Sequence, residues 1–211
     1  MAEIAPFTAL RFNLDRFPDA SALIAPPYDV ISEAARDELE RRHDNNVVRL
    51  DLPRGEGDTK YDNARVLLER WIAEGTLKLD EEPALYRYEQ SFTFPDGPGG
   101  KRFTRRGFIC LLKLEPFSKR VVLPHEHTLA GPKVDRMKLI KATRANLSQV
   151  FGLYRDPEAE AETALAAVES RSPELVATTP DGCQHRLWVV TDAGIIAKVV
   201  KALAGKQVMI A

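Results

Sequence analysis

Between Ala84 and Phe94 the chain alternates. Tyr86, Tyr88, Phe92 and Phe94 fall on one side, and Arg87, Glu89 and Thr93 on the other. Successive side chains of a strand point to opposite faces, so this pattern predicts a half-buried β-strand that needs a partner and a cover. A loop of Asp96-Gly97-Pro98-Gly99-Gly100 follows, then a second strand-like run from Arg102 to Glu115. The pair reads as a β-hairpin with a longer-than-minimal connection. Its return strand is continuously apolar over Phe108 to Leu112, which predicts burial on both faces there.

The flanking segments mix helix and strand signals. Ile4 to Phe12 reads as an early strand or extended arm. Leu23-Ile24-Ala25 is stopped by Pro26-Pro27, which remove backbone donors and hold Tyr28 and Asp29 on a stiff loop. Ser32 is a suitable N-cap for a helix over Glu33 to Arg42, with basic residues in its last turn as the dipole favours. Asn45-Asn46 predicts a turn and Val47 to Leu52 a strand. Asp58 is placed to cap a helix over Thr59 to Glu74, whose apolar face is Ala64, Leu67, Leu68 and Trp71 and whose end is Gly75. Further on, Val150 to Tyr154 predicts a strand, and Asp156-Pro157 a helix start with proline in first position. Leu175 to Thr178 and Gln184 to Val190 predict strands, Asp192 caps a last amphipathic helix ending at Gly205, and Gln207 to Ala211 is an apolar strand. Strands and helices interleave, yet hairpins occur as well. This predicts one mixed α/β (α+β) domain over residues 1–211, with a largely antiparallel sheet and flanking helices.

Composition narrows the function classes. The 211 residues carry 30 basic and 31 acidic side chains, so no global field points to a membrane surface or to nucleic acid. Cys110 and Cys183 lack a CxxC spacing and predict free buried thiols of a reducing, cytoplasmic setting. No apolar run approaches the ~18 residues of a membrane span. Neither GxGxxG nor GxxxxGK[ST] is present.

The densest chemistry lies between Pro124 and Tyr154. It opens on His125, Glu126 and His127, crosses a predicted turn at Leu129-Ala130-Gly131-Pro132, and enters a basic run with Lys133, Arg136, Lys138, Lys141 and Arg144 against the single acid Asp135. Two histidines on one strand face could bind a divalent metal but are only two ligands; Glu126, His125 and His127 are read as candidate acid–base groups, the alternative being a surface turn without chemistry. Val134, Met137 and Ile140, at i, i+3 and i+6, are expected to be a core stripe. Lys133 and Arg136 are placed in the first helical turn, where the dipole gives cations no benefit. An anion held by free backbone donors and two cations would explain them. Asp135 is expected to pair with a neighbouring base, while Asn146, Tyr28 and Asp29 are further candidate ligand residues.

The stretches Ala25-Pro-Pro-Tyr-Asp-Val-Ile-Ser32, Asn46-Val-Val-Arg-Leu-Asp-Leu-Pro53, Pro83-Ala-Leu-Tyr-Arg-Tyr-Glu89, Arg106-Gly-Phe-Ile109, Pro124-His-Glu-His-Thr128, Gly131-Pro-Lys-Val-Asp-Arg136, Ala145-Asn-Leu-Ser148 and Phe151-Gly-Leu-Tyr154 occur in this order. Together they resemble the bacterial and archaeal proteins catalogued as domain of unknown function 1015. Members of that family usually continue past a strand like Val208 to Ala211 into an Asp-Gly-His-His-Arg motif, so the resemblance implies an N-terminal portion. The motif is similar to the phosphate-binding Gly-x-x-Arg of ParB-like nucleotide hydrolases and of a ParB-like free-serine kinase. By that similarity the whole protein would be a phosphotransferase or nucleotide hydrolase acting on a small-molecule phosphate or nucleotide, with magnesium. This chain would supply Glu126, Lys133 and Arg136.

The alternative is a non-catalytic ligand- or protein-binding scaffold domain. Nucleic acid is not expected, because the basic residues are read as confined to one helix without interleaved aromatics. Pro124 to Arg136 and Pro26 to Asp29 are expected to line one concave surface. The terminal apolar strand is expected to leave an edge near Val208, Met209 and Ile210, which a second copy could cover as a homodimer.

Overall fold

The computed structural model describes residues 1–94, 100–125 and 130–210. In chain order its elements are β1 (Ile4–Ala5), β2 (Leu10–Phe12), α1 (Glu33–Arg42), α2 (Val48–Asp51), α3 (Thr59–Ala73), β3 (Leu77–Leu79), β4 (Leu85–Thr93), β5 (Arg102–Ile109), β6 (Leu111–Leu112), β7 (Val122–Pro124), α4 (Ala130–Thr143), β8 (Gly152–Tyr154), α5 (Glu160–Ala166), β9 (Leu175–Thr178), β10 (Gln184–Val190), α6 (Ala193–Leu203) and β11 (Val208–Ile210). The fold is mixed α/β, and its strand pairs are antiparallel in the main. Among the described residues no helix is long and apolar enough to cross a membrane. The chain divides into two compact units. The first comprises Met1–Ala9, Leu79–His127 and Val150–Ala211; the second comprises Leu10–Lys78 and Thr128–Gln149.

The first unit is organised on the hairpin. β4 and β5 pair from Tyr86↔Ile109 to Thr93↔Arg102, and the four strands lie in the order β5-β4-β10-β9. Its core joins Leu85, Trp188 and Val190 of the sheet to Ala161 and Leu165 of α5 and Val199, Ala202 and Leu203 of α6. The alternation of β4 is real, but its charged face is not the solvent face. Arg87 is 0% exposed and Glu89 is buried. Arg87 is tolerated there because its guanidinium is fully matched: Nη1 and Nη2 donate to the two Glu162 oxygens at 2.8 and 2.5 Å, and Nε donates to Glu169 at 3.0 Å. A paired, bidentate guanidinium can enter a core that a lone charge cannot. Phe108 to Leu112 is not buried on both faces. The ladder breaks at Cys110, where the chain leaves β4 to pair with β1, and Leu111 is exposed.

Helix starts separate into two kinds. The Asp192 carboxylate accepts from the Ile195 amide at 2.8 Å, as an N-cap should. Asp156 accepts from Ala161, so α5 starts at Glu160, three residues later than Pro157 predicted, after Ala159 at φ 51°. β11 is the middle strand of the order β7-β11-β8, parallel to β7 and antiparallel to β8. The expected free edge at Val208, Met209 and Ile210 is therefore covered on both sides within the same unit.

The second unit packs α3 against α4 and α2, with Leu50, Leu68, Trp71 and Leu77 in one cluster and Tyr61, Ala64 and Leu139 in another. Ser32 caps α1, accepting from Ala35 at 3.2 Å. Asp58 stands before α3 without capping it; its carboxylate accepts from Lys138 instead, at 2.7 Å. The predicted strand at Val47 to Leu52 is the short helix α2. Asn46 decides this. It is wholly buried, its amide donates to the Ala22 and Ile24 carbonyls, and its side-chain oxygen accepts from Val48 at 3.0 Å. That local bond turns the chain where the apolar run alone suggested extension.

Candidate functional site

α4 begins at Ala130, so Gly131 and Pro132 belong to its first turn rather than to a preceding loop. Proline is accepted there because the first amides of a helix have no intrahelical acceptor. This earlier start moves Arg136 into the second turn, which corrects the placement of both cations in the first. It also sets which face of α4 is buried. Leu139 and Thr143 face inward, while Val134, Met137 and Ile140 are 56, 52 and 39% exposed. The expected core stripe is thus an outward face, and the inward positions next to Leu139 are taken by Asp135 and Arg136.

These two residues sit at the centre of a charge cluster in the second unit. The Arg136 Nη1 donates to the Asp51 carboxylate at 3.0 Å and to the Asp51 carbonyl at 2.8 Å. Nε and Nη2 donate to the Asp135 carboxylate at 3.1 and 2.6 Å. The guanidinium lies over the Tyr28 ring, 4.3 Å from its centroid. Asp135 also accepts from Lys60 Nζ at 2.7 Å and from the Tyr61 hydroxyl at 2.8 Å. Ser148 donates its hydroxyl to the Asp51 oxygens at 2.9 and 3.0 Å. Four segments distant in sequence therefore supply one network: the Tyr28 turn, the end of α2, the start of α3, and α4 with the turn after it.

The two carboxylates are pushed in opposite directions. Burial raises the Asp51 carboxyl above its ordinary value, and the bonds from Ser148 and Arg136 offset this only in part. Burial acts on Asp135 the same way, but donors from Lys60, Arg136 and Tyr61 outweigh it and hold the carboxyl well below the usual carboxylate range. Asp51 is thus the group disposed to take up a proton, while Asp135 is a fixed anion.

Of the residues singled out by sequence, Tyr28, Asp135 and Arg136 meet in this network. Asp29 and Asn146 belong to the same unit and are exposed, and Lys133 is exposed with no ion pair among the described residues. His125 belongs to the other unit, where its Nδ1–H donates to the Ile210 carbonyl at 2.9 Å. Glu126 and His127 lie outside the described residues. Sequence reasoning missed Asp51, Lys60 and Tyr61. Asp51 was hidden by the strand reading of its segment, and Lys60 and Tyr61 look like ordinary helix surface. Lys138 is paired with Asp58 at the surface of the same unit.

A family model described as "Protein of unknown function (DUF1015)" matches residues 4–211. The chain belongs to the DUF1015 family. Comparison with curated proteins and with solved structures found no match. Two of the stretches that carry the DUF1015 resemblance, Asn46 to Pro53 and Gly131 to Arg136, contain Asp51, Asp135 and Arg136.

Proposed function

We propose that this DUF1015 chain handles a phosphate-bearing small molecule, as a phosphotransferase or nucleotide hydrolase, at the Asp51–Arg136–Asp135 cluster. The observation that carries the reading is the triad Ser148–Asp51–Arg136: a buried carboxylate with a raised pKa, hydrogen-bonded at once to a hydroxyl and to a guanidinium. Asp51 is placed to accept a proton from a hydroxyl, the position Ser148 now fills. Arg136 and Lys60 hold carboxylates in the geometry that suits phosphate oxygens, so a phosphate can compete for the same donors, with Lys133 nearby in sequence to receive it. The described residues do not fit a bound magnesium ion. Both carboxylates are engaged by cations, and no group of three or more His, Cys, Asp and Glu converges among the described residues.

A non-catalytic binding domain is the second reading. It is favoured by the pairing of Lys60, Arg136 and Lys138 with carboxylates of their own unit. Calorimetric titration with ATP, ADP and pyrophosphate, with phosphate release followed in parallel, separates the two. The enzyme reading expects Arg136→Lys and Lys133→Ala to weaken binding by about ten- to a hundredfold, since charge-assisted contacts contribute roughly 1.5–3 kcal/mol each. It expects Asp51→Asn to bind and not turn over, and Lys141→Ala to behave as wild type. Absence of binding to all three anions by the folded protein would leave the second reading.

A further inference from the structure

Two cations of the first unit, Lys101 and Arg105, are arranged differently from Arg87, Arg106 and Lys206, which are paired with carboxylates. Leading into β5, Lys101 to Arg106 reads Lys-Arg-Phe-Thr-Arg-Arg, and β5 is an edge strand. Phe103 pairs with Phe92 of β4, and their rings stack at 6.3 Å. Phe94 meets both rings edge-on at 5.4 Å. The Arg105 guanidinium lies over Phe92 at 5.8 Å and over Phe151 at 5.0 Å, and Lys101 lies over Phe103 at 5.5 Å. Phe94, Phe103 and Phe151 are 54, 38 and 46% exposed. Arg105 is tethered only to the neutral Gln90, and neither it nor Lys101 has a carboxylate partner among the described residues. Phe92, Phe94 and Phe103 thus gather beside Lys101 and Arg105, Phe151 meets Arg105 from the residue before β8, and neither cation is answered by a carboxylate among the described residues. Confining the basic residues to α4 overlooked this run.

We propose that this face binds single-stranded nucleic acid, with unpaired bases stacking on Phe94, Phe103 and Phe151 and phosphates held by Lys101 and Arg105. Solvent-facing rings interleaved with cations are the combination that sequence-tolerant single-strand binding uses: each base offers a π-face, and the backbone offers the charge. An acidic peptide could answer the two cations, but its carboxylates offer no π-face to stack on the three exposed rings, as bases do. A duplex hides its base faces, so it should bind more weakly than the single strand. The site lies in the other unit from Asp51 and Arg136, and it stands whether or not those residues handle phosphate.

The test is fluorescence anisotropy of full-length chain with labelled twelve-nucleotide poly-dT, poly-U and the matching duplex at low salt. Expected are tighter binding of the single strands than of the duplex, and a loss of about tenfold or more for Phe103→Ala and for Phe94→Ala. Lys101→Ala should reduce the slope of log K against log salt by about 0.7, one phosphate contact fewer. Lys141→Ala, on α4, should change neither. Both rings are exposed, so their loss should leave the circular dichroism unchanged. No binding at low salt, equal binding of the duplex, or indifference to both phenylalanine changes would overturn the proposal. So would sedimentation showing a dimer that Phe94→Ser dissolves, which would give the face to a second copy.

Discussion

Arg136→Ala is the perturbation that the second unit should feel most. The change removes two charge pairs and a cation–π contact at once, and it leaves two carboxylates behind. Breaking a buried ion pair by deleting one partner costs roughly 3–5 kcal/mol. The lower bound applies here, about 3 kcal/mol, because each carboxylate keeps other donors: Ser148 on Asp51, and Lys60 and Tyr61 on Asp135. The chain has two tryptophans, one in the core of each unit. In a Trp188→Phe background, urea unfolding followed by Trp71 fluorescence reads the second unit alone. The loss should shrink on acidification, since a stranded Asp51 relieves its cost by taking up a proton. Lys133→Ala should stay within about 0.5 kcal/mol, as exposed substitutions do. An Arg136→Ala loss below about 1 kcal/mol, the range of an exposed pair, would refute the argument that Arg136 is the hub.

Asp135→Asn should flatten the acid limb of the stability curve. The folded carboxyl is depressed, so its contribution is present above the ordinary carboxylate pKa and is lost as pH falls towards the folded value; denaturant midpoints measured from pH 6 to pH 3 check this. Asp51 has the opposite sign. Its stabilisation is full below the ordinary value and is lost as pH rises through the raised one, so Asp51→Asn should gain relative stability towards neutral pH in the same series. Arg87→Met should cost the first unit about 1–3 kcal/mol, since Glu162 and Glu169 lose their buried partner but stay partly solvated and Glu169 keeps Arg106, read through Trp188 in a Trp71→Phe background. Asp192→Ala should remove one N-cap and about 1 kcal/mol, seen as a small fall in the same transition.

The legible parts of the fold were those where a local signal and the tertiary outcome agree. The β4–β5 hairpin followed from period-2 alternation, and α1 and α6 from Ser32 and Asp192, whose side chains do cap them. The failures have a common physical origin: a polar side chain found a better partner than the local pattern could show. Asn46 captured two distant carbonyls and bent Val48–Asp51 into a helix. Asp58 left its helix for Lys138. Arg87 entered the core because Glu162 and Glu169, more than 70 residues away, were there to receive it. At the candidate site, Arg136 and Asp135 were visible as a basic run with one acid. Asp51, Lys60 and Tyr61 were not, because only tertiary packing brings α2 and α3 against α4.

The most direct test of the cluster is a carbon-13 NMR titration of the Asp51 and Asp135 side-chain carboxyls, with and without pyrophosphate. The account predicts Asp51 titrating above the ordinary aspartate value and Asp135 below it. It further predicts that pyrophosphate will move both, as an anion competing for Arg136 and Lys60 must. Two ordinary and equal titrations, or carboxyl signals that pyrophosphate leaves in place, would contradict it.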